Sequence, residues 1–280
     1  MDVKMSVIVV ASDLHLGITQ EEPIRALAER IATAEPELTV LAGDIGEGLA
    51  RIRECLALFS GVPGRVAVLA GNHDVWAFRD GPSSQDMWER HIPAAVRNAG
   101  MIWLEDEVCR VGAVAVAGSL AWYDYSAVDP TIPPYPSKYF ASEKPTRNLD
   151  GRYVNWPWPD VAFSGQLGDA LCARLDMLVA DASARDVLVV THVPLCERQM
   201  RRRPDDPRWG FGNAYFGNLT LGHRVLAYPK VRRIVSGHTH IPASGMEPRE
   251  GQPDVPVEIV PSDFGSPQCV VLDTETLGRL

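Results

Sequence analysis

The chain has 280 residues, of which 46 % are hydrophobic, and a formal net charge of −9. That length suits a single domain over 1–280 with a substantial core. The acidic balance argues against non-specific nucleic-acid binding, which needs Lys and Arg to displace phosphate counterions, and against docking on anionic membranes.

Short β-branched runs read as strands buried on both faces. In chain order they are 6–11, 38–42, 65–70, 111–117, 186–190, 233–235, 257–260 and 269–272. The first is too short for a secretory leader or a membrane span, so a cytoplasmic protein is expected. The five cysteines, Cys55, Cys109, Cys172, Cys196 and Cys269, are scattered without a Cys-x-x-Cys pair. This speaks against a disulfide framework and fits a reducing compartment.

Helical spacing appears at 21–34, with Pro23 near its start, at 48–59 (Leu49, Ile52, Leu56, Phe59), and at 166–184 (Leu167, Leu171, Leu175, Leu178). Alternating strands and helices predict an α/β layered fold. The tail from Pro242 shows strands and turns but no helix. Segments 122–159 and 196–217 lack periodicity and are expected to be long functional loops that frame a substrate pocket.

The polar residues fall at the ends of five apolar runs. These are Asp13-Leu14-His15, Gly43-Asp44, Gly71-Asn72-His73-Asp74, Thr191-His192 and Gly237-His238-Thr239-His240. Ligands of open α/β sheets bind beyond the carboxyl ends of the strands, so neighbouring parallel strands would bring the five motifs to one edge. Imidazole and carboxylate donors suit zinc, manganese or iron. Asp44 is the natural bridge between two ions, one on each carboxylate oxygen, and Asn72 offers a neutral amide oxygen. Gly43, Gly71 and Gly237 let the backbone turn sharply beside the site. Two divalent ions against Asp13 and Asp44 leave a surplus of positive charge that would attract a phosphate ester. Such ion pairs favour in-line attack at phosphorus, here by a metal-bridging hydroxide.

The five motifs, in this order, resemble those of the calcineurin-like metallophosphoesterases across nearly the whole chain, from Asp13 to His240. The resemblance implies a central β-sandwich flanked by helices. It implies a first metal on Asp13, His15, Asp44 and His240, and a second on Asp44, Asn72, His192 and His238. It places His73 beside the substrate as the group that protonates the leaving oxygen, with Asp74 orienting its ring. Protein phosphatases of the superfamily carry an Asp-Arg-Gly after the Gly-Asp and end the next motif in Glu. Here the sequence is Gly43-Asp44-Ile45-Gly46-Glu47-Gly48, and the third motif ends in Asp74. This looks closer to the phosphodiesterase branches, with a small-molecule phosphate ester as substrate and no membrane partner. A nuclease, a phosphomonoesterase and a metal-holding scaffold without turnover are the alternatives.

Competing readings remain at several residues. Any one of the histidines could be structural, and Asp74 could cap a helix. His91 and His223 lie outside the motifs and read as packing residues, and Cys196 as a small buried hydrophobe. Arg198, Arg201, Arg202, Arg203 and Arg208 form a phosphate or nucleic-acid clamp, or a solvated face balanced by Glu197, Asp205 and Asp206. The aromatics of 122–158 could stack on an aryl group or base, close the loop onto the core, or form a dimer contact.

Overall fold

The computed structural model describes residues 6–279. In chain order its strands are β1 (Val7–Ala11), β2 (Leu38–Ala42), β3 (Arg65–Leu69), β4 (Ile102–Trp103), β5 (Cys109–Val111), β6 (Val114–Ser119), β7 (Asp186–Thr191), β8 (Val231–Ser236), β9 (Ser244–Arg249), β10 (Gln252–Ile259) and β11 (Cys269–Asp273). They form one sheet ordered β11-β1-β2-β3-β4 and another ordered β5-β6-β7-β8-β10-β9. β1, β2 and β3 run parallel, as do β6, β7 and β8.

Side chains alternate across each strand, so the central strands serve two cores. Ile8, Val10, Val40 and Leu69 of the first sheet meet Val116, Leu188, Val190 and Val235 of the second in the space between the sheets. Val9, Leu41 and Val68 point the other way, onto helices Glu21–Thr33, Leu49–Leu58 and Ile92–Asn98. Ala115, Val187, Val189 and Ile234 pack against helices Asp160–Ala180 and Leu219–Leu226. The result is the expected sandwich with helices outside both sheets. Among the described residues no helix is long and apolar enough to cross a membrane. All five cysteines are free thiols.

Several sequence expectations need correction. The apolar run 111–117 is a hairpin, with Val111 paired to Val114 around the left-handed Gly112. Segment 122–159 holds two helices, Ser137–Arg147 and Asp150–Tyr153. Their apolar periodicity is weak because aromatic side chains, rather than a Leu stripe, supply their anchoring. Segment 196–217 holds helix Pro207–Gly212 and two short 3-10 turns. The helix expected from 166 starts at Asp160. β4 is only two residues long, and β9 is an edge strand with Pro248 and no buried face, so neither shows an apolar run. His223, near the second segment, is exposed on helix Leu219–Leu226.

Trp122, Tyr123 and Tyr125 are fully or almost fully buried, so for them closure onto the core is the correct reading. Part of the Arg-rich stretch is satisfied by its own neighbours. Arg202 pairs with Glu197 at 2.6 Å, Arg203 lies over the Trp209 ring, and Asp206 caps helix Pro207–Gly212.

The start of the aromatic segment is pinned by a buried arginine. Arg174 donates to the carbonyl oxygens of Leu104, Glu105 and Gly118, while the Glu105 carboxylate accepts from the Leu120 N–H. In Arg174→Leu those carbonyls would lose their donor inside the protein, so urea unfolding should show a loss of about 2–4 kcal/mol. A change within about 0.5 kcal/mol, the range of an ordinary surface substitution, would show that water replaces the guanidinium without cost.

Candidate metal centre

The five motifs do leave the ends of five strands, but not one sheet edge as expected. Asp13 and His15 follow β1, Asp44 follows β2, and Asn72 follows β3 in the first sheet. His192 follows β7, and His238 and His240 follow β8, in the second. The centre therefore spans the open end of the sandwich. A direct tie closes it there, for the His238 N–H donates to the Asp13 carboxylate at 2.9 Å.

The local backbone is unusual. Asp13, His15, Asp44, His238 and His240 have φ of 59°, 48°, 52°, 75° and 53°. Non-glycine residues seldom take the left-handed region, and each costs of order 1–3 kcal/mol. The turn swings each side chain off its strand axis and back over the strand ends. Gly43 turns the chain at φ 88°, as the sequence implied. Gly71 and Gly237 act through size instead. A Cβ on Gly71 would collide with the Asp44 carboxylate, and one on Gly237 with Ser12 Oγ.

The seven candidate ligands form two sets. In the first, His15 Nε2 lies 3.2 Å from His240 Nε2 and 3.3 Å from Asp44 Oδ2, and His240 Nε2 lies 3.7 Å from Asp13 Oδ1. In the second, Asn72 Oδ1 lies 2.8 Å from His238 Nδ1 and 3.0 Å from His192 Nε2, which is 3.4 Å from Asp44 Oδ2. Donors around a tetrahedral ion with bonds of about 2.0–2.1 Å stand roughly 3.3 Å apart, so both sets fit a divalent cation. Asp44 does join them, but through one oxygen. Its Oδ2 faces both sets, while Oδ1 accepts from the His73 N–H at 2.8 Å.

The outer nitrogens support the same reading. A ligating histidine offers one nitrogen to the ion and donates from the other. His192 Nδ1 faces the Ala42 carbonyl, His238 Nε2 the Tyr215 carbonyl, and His15 Nδ1 the Glu47 carboxylate, at 2.9, 3.0 and 3.1 Å. In each the opposite nitrogen points into the site, where it can take an ion once any proton on it is displaced.

Asp74 departs from its expected role. Both its oxygens are taken by backbone N–H groups, those of Ile45 and Gly46 on one and Gly71 on the other. It knits the Asp44 and Asn72 loops together, and burial, then the nearby Asp44 charge, pushes its carboxyl up to about 7. The His73 ring is held by Glu47 instead, with Nδ1 3.0 Å from Oε1. Trp76 stacks on the other side of His73 at 3.6 Å between ring centres. Sequence reasoning missed Glu47, Trp76 and Asp150. Glu47 follows Asp44 by three residues, so proximity to the motif was a usable signal. Asp150, whose carboxylate accepts from Asn72 Nδ2 at 2.9 Å, lies 78 residues away and had none.

Two of these histidines differ in charge. Burial opposes protonation of His192, but the Asp44 charge and hydrogen bond overcome it and lift the ring to about 9. Burial and then the His192 charge push His238 down to about 4. At pH 7 an incoming ion must therefore displace a proton from His192 and none from His238. Metal added to the apoprotein at pH 7 should release protons, and affinity should climb as pH rises toward 9. Calorimetry in buffers of different ionisation enthalpy checks this, and pH-independent binding would contradict it. Gly71→Ala should displace Asp44 and weaken metal binding at both sets by about 10–100-fold, read by elemental analysis after dialysis. Wild-type metal content would refute that.

The model of the calcineurin-like phosphoesterase family matches residues 6–242. No curated protein matches the sequence. Among solved structures, a phosphopantetheinyl hydrolase (PptH) from Mycobacterium tuberculosis superposes with TM-score 0.70 at 20 % identity, over 95 % of this chain and 96 % of its own. A dimetal phosphatase from Danio rerio gives 0.56 at 14 % identity, over 96 % and 92 %. The protein TT1561 of Thermus thermophilus gives 0.54 at 9 % identity, over 96 % and 99 %. With the family match covering most of the chain and every strand-end motif, the chain belongs to the calcineurin-like phosphoesterases, hydrolases that act on phosphoric esters.

Proposed function

We propose that this protein is a phosphodiesterase of small-molecule substrates, with Asp13, His15, Asp44, His240 and Asp44, Asn72, His192, His238 as the two ligand sets and manganese, iron or zinc as the ions. The observation that carries the reading is the meeting of both sets at Asp44 Oδ2 with His73 alongside. Two ions bound there would supply an activated water and screen the charge of the phosphate.

The chain's own groups do the rest. Glu47 accepts from His73 Nδ1, which leaves Nε2 to hand a proton to the leaving oxygen. Trp76 prevents the ring from swinging away. Burial opposes the His73 cation, but the Asp44 charge and then the Glu47 hydrogen bond hold it up to about 9. In the metal-free protein the proton is thus held at neutral pH.

Three features support a diester. Among the described residues, no Lys or Arg head group pairs with a candidate ligand or with His73. A monoester dianion calls for such a cationic grip, whereas a diester carries one negative charge. The rim is also aromatic. Phe264, 49 % exposed, stacks over His240 at 4.5 Å, and the exposed Tyr153 stacks on Trp76 at 4.7 Å. These rings offer surface for the organic part of an ester. The absence of an Arg after Gly43-Asp44 supports the same branch.

With manganese, an aryl phosphodiester should be turned over with kcat/KM about 10-fold or more above the matching monoester. The panel should include cyclic nucleotides, a phosphopantetheinyl ester and oligonucleotides. A monoester preference would overturn the diester reading. Oligonucleotide cleavage that falls steeply with salt would favour a nuclease. His73→Ala should keep its metal and lose about 10²–10⁴-fold in kcat; wild-type turnover would remove its role. Glu47→Gln keeps a hydrogen bond but removes the charge that sustains the His73 cation. The alkaline limb of its pH–rate profile should therefore move to lower pH, and an unmoved limb would count against the Glu47–His73 link.

A further inference from the structure

Asp150 lies at the start of helix Asp150–Tyr153, in the extra segment between β6 and helix Asp160–Ala180. Its side chain is completely buried. One oxygen accepts from Asn72 Nδ2 at 2.9 Å and Trp76 Nε1 at 2.7 Å, and the other accepts from the Tyr123 hydroxyl at 2.9 Å. All three donors are neutral. A buried carboxylate with only neutral partners relies on those hydrogen bonds, and a cation beyond Asn72 would add to their support.

The partner that matters is Asn72. An amide presents an oxygen from one end and an NH2 from the other, nearly identical in shape. Only the oxygen can serve a cation. Asn72 Oδ1 sits between His192 Nε2 and His238 Nδ1, inside the second ligand set. A carboxylate can only accept, so Asp150 requires the NH2 to face it and forbids the flipped amide.

We propose that Asp150 is a positioning residue for the second metal: it locks the Asn72 amide with its oxygen toward the ion, and its buried negative charge is balanced by that ion through the amide. The same carboxylate holds Trp76, the indole stacked on His73, so one residue of the extra segment aligns both a ligand and the ring beside it. The inference rests on the two-ion reading but not on any substrate.

The test is a manganese titration followed by electron paramagnetic resonance, in wild type, Asp150→Asn, Asn72→Ala and the double variant. Wild type should bind two ions and develop an exchange-coupled signal. Asp150→Asn keeps the shape but loses the charge and the obligation to accept. It should bind the first ion normally and the second about 10–100-fold more weakly, with the coupled signal reduced. In the Asn72→Ala background the Asp150→Asn change should add little, because its effect passes through the missing amide. A merely structural role would weaken both ions or act equally in both backgrounds. Wild-type affinity for the second ion in Asp150→Asn, or a full additional loss in the double variant, would overturn the proposal. A single ion in the wild type would instead overturn the two-ion centre itself. Asp150→Leu, which removes the acceptor, should lose the second ion if it folds; retention of both ions would also refute the assignment.

Discussion

Asp44 Oδ2 stands 3.3 Å from His15 Nε2 and 3.4 Å from His192 Nε2. At that spacing electron-rich atoms repel one another unless a proton or a cation lies between them. Much of what surrounds them holds this close arrangement in place. The Ala42 and Tyr215 carbonyls and the Glu47 carboxylate fix ring orientations, and Asp74 commits both oxygens to the loops that carry Asp44 and Asn72. The left-handed residues add strain on top. Such a site persists only because the rest of the molecule over-determines it.

The sandwich supplies that support. Its central strands are buried on both faces, and their ends are fixed by two cores at once. Close packing resists small displacements, so the donors are placed by rigid strands rather than by mobile loops. Glu47 and Asp150 also amend a charge count made from the ligands alone. Both stand just outside the donor atoms and would offset part of the surplus positive charge of two bound ions. The site therefore selects a phosphate more by geometry than by excess charge.

The ligand motifs were legible because they are short-range signals. A β-branched run ending in Asp-x-His or Gly-Asp places a donor at a strand end whatever the strand's neighbours are. The assignment of runs to two sheets was not legible, since strand order depends on contacts such as β1 with β11, which lie over 250 residues apart. Asp74 was misjudged because its neighbour in sequence, His73, is not its partner in space. A 3-10 turn at 73–75 aims the carboxylate back at Gly71 while the imidazole goes to Glu47. Asp150 was invisible because nothing near it in the chain hints that its helix packs under Asn72. The two long segments read as loops because aromatic anchors, unlike a leucine stripe, leave no periodic trace.

The two segments do not serve both ligand sets alike. Asp150, in the first, grips Asn72, and the Tyr215 carbonyl, in the second, grips His238. Both belong to the second set. In the first set, Asp13, His15 and His240 follow sheet strands, and the outer contact of His15 goes to Glu47, close to β2. The two halves of the centre are therefore backed in part by different pieces of the fold. A brief local opening of either surface segment would loosen one half and leave the other standing. If the two sets hold two ions, the second would lean on these peripheral segments and the first on the sandwich.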